Sequence, residues 1–127
     1  MISGHVAGLQ ARIEVVFRLP HRPDLVIEFV VDTGFAGALT LPPAAVTAMG
    51  LRHVAQLSAN LANDSSVPTE VYQATILWDG AELDVAVYAL GKRPLLGTAL
   101  LDGFNLNADF TDSGQVALQR LPTAGHP

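Results

Sequence analysis

The sequence has no cysteine. Disulfides, thiol nucleophiles and thiolate metal sites are therefore excluded. Charge is also scarce: 15% of the 127 residues are Asp, Glu, Lys or Arg, too few for an acidic tail or a solvating linker. Basic side chains are the rarer sign, seven against twelve acids, for a net charge of −5. They are scattered from Arg12 to Arg120 rather than bunched. A phosphate-binding surface needs clustered positive charge, so nucleic acid is not an expected partner. Charge or proline interrupts every apolar stretch well short of the ~20 residues of a membrane span. Met1-Ile2-Ser3-Gly4-His5 has neither the basic start nor the apolar run of a signal peptide. The expectation is a protein with no membrane partner and a cytoplasmic location.

What is plentiful is apolar: half the residues are hydrophobic and mean hydropathy is +0.34. The length suits one domain, residues 1–127. Eleven glycines and eight prolines punctuate short apolar runs, which is the pattern of an all-β domain. Strands are expected over Leu9–Leu19 and Leu25–Val31, joined at Pro20-His21-Arg22-Pro23-Asp24 into a first hairpin. Gly37–Leu41 reads as a short strand. Pro42–Met49 reads as a helix, with Thr40 or Leu41 near its start, three alanines inside and Gly50 at its end. Val54–Leu61 and Val67–Trp78 flank the turn residues Asn63-Asp64-Ser65-Ser66, a long hairpin with a polar tip. Asp79-Gly80 turns into a strand over Leu83–Leu90. Thr98–Asp102 reads as a short helix capped by Thr98. Leu106–Phe110 and Val116–Leu121 close a last hairpin, and the tail to Pro127 reads as frayed.

The chemistry-bearing motif is Val30-Val31-Asp32-Thr33-Gly34. By average composition an Asp-Thr-Gly arises by chance in roughly 2% of chains this long. Here it follows an apolar strand, so rigid structure holds the carboxylate at a strand end, where a catalytic group is wanted. The glycine permits backbone turns closed to other residues. An ordinary Asp at a strand-to-turn junction has the same local look. Other candidates are thinner. His5, His21, His53 and His126 are dispersed and show no metal-ligand spacing. Ser65 and Ser66 have no histidine close by to activate them. Gly34-Phe35-Ala36-Gly37 lacks the lysine and the long helix of a phosphate loop. Trp78 and Tyr88 read as packing residues.

Further along stands Leu95-Leu96-Gly97, just before the short helix. An Asp-Thr-Gly after a buried strand, a long hairpin, then two apolar residues and a glycine leading into a short helix: this order resembles the retropepsin-like, single-lobed aspartic proteases, over roughly Val15–Leu121. The resemblance implies a small closed barrel of the acid-protease type with one or two short helices. It implies an aspartic endopeptidase acting on a polypeptide substrate, without metal or cofactor. The chain carries one such motif, since Asp102-Gly103 and Asp112-Ser113-Gly114 do not match it, so a working site would join Asp32 of two chains in a homodimer. Asp32, Thr33 and Gly34 would be its catalytic residues, with Thr33 linking the two loops beneath the carboxylates. Leu96 and Gly97 would pack under the loop. Phe35 and Ala36, with Asn63, Asp64, Ser65 and Ser66 at the flap tip, would meet substrate. Many relatives have Ala or Ser where this chain has Phe35, which adds apolar wall or core. Two alternatives remain open from sequence: a non-catalytic domain binding an extended peptide by strand addition, and an assembly module whose Asp32 only satisfies backbone donors.

Overall fold

The computed structural model describes residues 1–60 and 65–122, with the backbone alone for 59 and 60. The described residues form β1 (Ile2–Ala7), β2 (Gln10–Arg18), β3 (Leu25–Val31), β4 (Leu39–Leu41), α1 (Pro43–Met49), β5 (Arg52–Asn60) and β6 (Ser66–Trp78). Then follow β7 (Ala81–Ala89), β8 (Leu95–Leu96), α2 (Thr98–Leu101), β9 (Phe104–Ala108) and β10 (Gln115–Arg120). The hydrogen-bonded order is β5-β6-β7-β4-β8-β3-β2-β1-β10-β9, and β6 also pairs with β2. That extra pairing, Val16–Arg18 against Thr75–Leu77, closes β2-β3-β8-β4-β7-β6 into a ring. The all-β barrel expected from the strand spacing is what the chain forms. β5 flanks the ring at one end of the order, and β1-β10-β9 extends it at the other.

Alternation drives the closure. In β2, Ala11, Ile13, Val15 and Phe17 are buried while Glu14 and Arg18 are exposed, the period of two of a strand with one face in a core. Phe17 stacks on Phe29 of β3 at 5.9 Å, and both are fully buried. Leu39, Leu41, Ile76, Val87 and Leu96 meet them from the other ring strands. Trp78 is buried edge-on against Phe104 at 6.0 Å, a packing residue as expected.

Three local expectations are corrected. The first strand of the chain is β1, not the strand over Leu9–Leu19, and the first hairpin is β1–β2 through Gly8-Leu9, both with positive φ (59° and 61°). β1 hides its signal because Ser3, Gly4 and His5 are poor strand formers. The pairing explains Gly4: a Cβ there would lie 2.0 Å from the Arg12 carbonyl oxygen. Thr98 does not cap α2. Gly97 is the N-cap residue, and the Thr98 hydroxyl donates to the Phe35 carbonyl at 3.3 Å. Nor does Thr40 serve α1, whose N-cap is Pro42; its buried hydroxyl accepts the Leu95 N–H at 3.1 Å and donates to the Arg93 carbonyl at 3.3 Å. Gly50 ends α1 in the left-handed conformation, as read from sequence. The tail beyond residue 122 lies outside the described residues. Among those residues no helix is long and apolar enough to cross a membrane.

Candidate active site

β3 delivers Asp32, and β8 fixes where it stops. The two strands run parallel, Val30 beside Leu95 and Val31 beside Leu96. One residue on, the Asp32 N–H donates to the Leu96 carbonyl at 2.8 Å. The backbone then turns. The Gly34 N–H donates to Asp32 Oδ1 at 2.9 Å, and the Phe35 N–H donates to the Asp32 carbonyl at 3.2 Å. A Cβ on Gly34 would stand 3.2 Å from Asp32 Oδ1, closer than side chains normally pack, so the glycine lets the amide reach the carboxylate.

The loop after the motif is laid along the start of α2. The Phe35 carbonyl accepts the Thr98 N–H at 2.8 Å, the Gly37 carbonyl accepts the Ala99 N–H at 3.2 Å, and the Ala38 carbonyl accepts the Gly97 N–H at 2.9 Å. Contact is so close that a Cβ on Gly97 would fall 2.3 Å from the Gly37 oxygen and 2.5 Å from Phe35 Cδ2. Phe35 fills this slot. Its ring meets Tyr88 edge-on at 5.4 Å, and a Cβ on Gly37 would fall 2.5 Å from its Cζ. Phe35 is thus neither cavity wall nor part of the buried core: half-buried, it wedges between Gly37, Gly97 and Tyr88. Leu96 is fully buried.

Asp32 and Thr33 open on a cavity of about 620 Å³. Val30, Val31 and Leu95 form one wall, Leu106 and Ala108 of β9 another, and Leu9, Gln10, Ala11 and Phe110 the rest. Asp32 is partly buried and Thr33 exposed. Phe35 and Ala36 do not line this cavity; Ala36 is exposed on the loop. The walls contributed by Leu9, Leu106, Ala108 and Phe110 were not singled out in the sequence. Leu9 and Phe110 are apolar residues at turns, 80% and 59% exposed, and an apolar residue at a turn is the one signal that marks them.

The β5–β6 hairpin is the proposed flap. Ser65 and Ser66 are exposed, and Ser66 opens β6 opposite Asn60. Asn63 and Asp64 lie outside the described residues. Further down the hairpin, Glu70 holds two β5 side chains: its Oε1 lies 2.6 Å from His53 Nε2, and its Oε2 accepts from the Gln56 amide. The Gln56 bond, then the His53 bond, hold the Glu70 carboxyl below its ordinary range.

Comparison with known proteins adds the fold. Neither a protein-family profile nor a curated protein matches the sequence. Among solved structures, the chain is similar to a retropepsin-like aspartic protease from Rickettsia conorii, with a TM-score of 0.56, 16% identity and 91% of each chain covered. It is also similar to EIAV protease complexed with the inhibitor HBY-793, with a TM-score of 0.52 and 17% identity over 76% of this chain and 91% of that one. Two proteases that share so little sequence with this chain share its ring of strands: the fold is that of the retropepsins.

Proposed function

We propose that the protein is an aspartic endopeptidase whose site is completed by a second copy. The observation that carries this reading is the Asp32 carboxylate itself. Its main chain is pinned to β8, one oxygen accepts the Gly34 N–H, and it faces an apolar-walled cavity. Preorganised donors and a fixed strand end are what a carboxylate needs to act on substrate. The resemblance of motif order and fold to the aspartic proteases named above points the same way, with fold alone not deciding function.

A single carboxylate is half of the machinery. With Asp32 of two chains side by side, both cannot ionise freely, so the pair holds one proton. The ionised member takes a proton from a bound water, whose oxygen adds to the scissile carbonyl carbon. The protonated member donates to the carbonyl oxygen. Collapse of the tetrahedral intermediate expels the amine, which leaves with a proton returned by the dyad. No covalent enzyme intermediate forms. The apolar walls suit side chains of an extended polypeptide. Thr33 and Gly34 keep the roles the motif implies, and Ser65 and Ser66 stand on the hairpin that would cover substrate.

The test is incubation with a diverse peptide mixture at about pH 5, read by mass spectrometry, wild type beside Asp32→Asn. Wild type is expected to cleave, and the variant to lose about a thousandfold or more while keeping its circular dichroism. Equal peptide binding by both, with no cleavage by either, would favour a non-catalytic peptide-binding domain instead.

A further inference from the structure

Asp-Gly occurs twice in the chain, at Asp79-Gly80 and at Asp102-Gly103. In this dipeptide the backbone nitrogen can attack the aspartyl side chain with little hindrance, because glycine puts no Cβ in the way. Both glycines have open space where a Cβ would stand. What surrounds the two aspartates differs.

Asp79 is held on every side. Its Oδ1 accepts from the Met1 amine at 3.1 Å and its Oδ2 from Arg120 Nε at 3.1 Å. The amine first, then Arg120, hold its carboxyl below the ordinary range. An ionised carboxylate is a poor electrophile, because its oxygen does not leave. The backbone is fixed as well: Asp79-Gly80 is a two-residue turn closed by the Trp78–Ala81 pair of β6 and β7, with φ of 51° and 86°. Asp102 stands at the joint between α2 and β9. It is exposed, and among the described residues its side chain has neither a hydrogen bond nor an ion pair. The Asp102 N–H donates to the Thr98 carbonyl at 3.0 Å, and the Gly103 carbonyl accepts the Leu121 N–H at 2.8 Å. The peptide between them bonds to nothing among the described residues. Turning it over changes the Asp102 ψ, now 127°, and the Gly103 φ, now 85°, and glycine accepts either sign of φ. The Gly103 nitrogen can thus reach Asp102 Cγ without breaking a hydrogen bond.

We propose that Asp102 is a site of spontaneous covalent modification, isomerising through a cyclic imide to isoaspartate, and that Asp79 is protected from the same reaction. The Gly103 nitrogen attacks Cγ of the neutral Asp102 carboxyl. An N–Cγ bond forms, a Cγ–O bond breaks, and the N–H proton leaves with the hydroxyl as water. Water then opens the imide. Where it breaks the bond from the Gly103 nitrogen to the Asp102 main-chain carbonyl carbon, the chain runs on through Cβ and Cγ and an α-carboxylate is left free. No oxidant or cofactor enters, and the inference stands apart from the reading of Asp32. The product has one more backbone carbon between α2 and β9. The Leu121 bond to Gly103 ends the β9–β10 pairing, and the next residue, Phe104, packs edge-on against Trp78 at 6.0 Å with the Arg120 guanidinium 4.7 Å over its ring. Isomerisation therefore loosens the seat of β9, whose Leu106 and Ala108 wall the cavity.

The test ages the intact protein at neutral pH and physiological temperature. Each Asp-Gly is read by mass spectrometry, with fragmentation that tells the two backbones apart. Free peptides spanning 76–83 and 99–106, aged alongside, give the rate of each dipeptide without structure. Asp102 is expected to convert within about tenfold of the rate in its peptide. Asp79 is expected to convert about tenfold or more below the rate in its own, since a carboxyl held ionised by two cations is rarely in the neutral form that reacts. Arg120→Ala removes one of those cations and is expected to raise conversion at Asp79. Asp102→Glu keeps the charge but would have to close a larger ring, so it is expected to show no conversion at 102 and a urea midpoint unchanged by ageing, while that of wild type falls. Conversion at Asp102 slower than that range, or equal conversion at the two sites, overturns the proposal. Ageing that lowers the Asp102→Glu midpoint as far as that of wild type overturns the consequence for β9.

Discussion

The Asp32 loop and the β5–β6 hairpin face the same proposed task and are held by opposite means. The loop is tied to β8 and α2 by main-chain hydrogen bonds, over contacts that admit no Cβ at Gly97. β6 of the hairpin is a ring strand, but its outer strand β5 is held, beyond its ladder with β6, by exposed side-chain pairs, Glu70 with His53 and Gln56 and Arg52 with Gln73. The first kind of contact is insensitive to pH and salt and intolerant of any added atom. The second is solvated, screened and individually weak. A hydrolytic site that must hold a carboxylate still while admitting a chain is served by this division.

Substitutions can break the comparison, beginning with the strongest. Gly97→Ala forces its methyl into the Gly37 carbonyl and the Phe35 ring. It is expected to destabilise the domain by about 3 kcal/mol or more, seen as a lowered urea midpoint. Phe35→Ala leaves the slot between Gly37, Gly97 and Tyr88 empty. A loss of about 2–3 kcal/mol is expected for this partly buried ring, and peptidase activity should fall further than stability alone explains. Gly34→Ala presses on Asp32 Oδ1 without entering the core. Stability should change by less than ~1 kcal/mol while kcat drops about tenfold through a displaced carboxylate. The hairpin should respond least. Because the hydrogen bonds lower the Glu70 pKa, its contribution is present above the ordinary 4.5 and lost as pH falls through the lowered native value. Glu70→Gln should therefore lower melting at neutral pH only slightly, the pair being exposed, and flatten the loss of stability between 4.5 and the lowered native value. If instead it lowered the neutral melting temperature as much as Phe35→Ala does, the contrast between loop and hairpin would be gone.

Where side chains alternate locally, the fold was legible. β2 and the β6–β7 hairpin stand within a residue or two of their expected bounds, because one buried face imposes a period that the residues show directly; β3 keeps its bounds as an apolar run between Asp24 and Asp32. β1 was not legible: its strand character comes from neighbours β2 and β10, and no local pattern records a neighbour. The same holds in the site. Asp32, Thr33 and Gly34 announce themselves as a motif, and Leu96 and Gly97 through their order after it. Leu106 and Ala108 join the cavity only because β9 folds back beside β10, itself paired with β1. Thr40 looked like a helix-start residue and is a buried bridge between Arg93 and Leu95, a role that exists only once β8 has arrived.

The parallel register of β3 with β8 carries a consequence for the order of assembly. Hairpins such as β2–β3 and β6–β7 join near neighbours in the chain and form early, on a microsecond scale. Asp32 takes its backbone anchor from Leu96, and closing a contact so distant in sequence carries a loop-entropy cost that local pairs avoid. A growing chain that has not yet exposed Leu95 and Leu96 has its motif residues but nothing to hold them. The carboxylate thus acquires its fixed position late, when most of the ring strands are already available to receive β8.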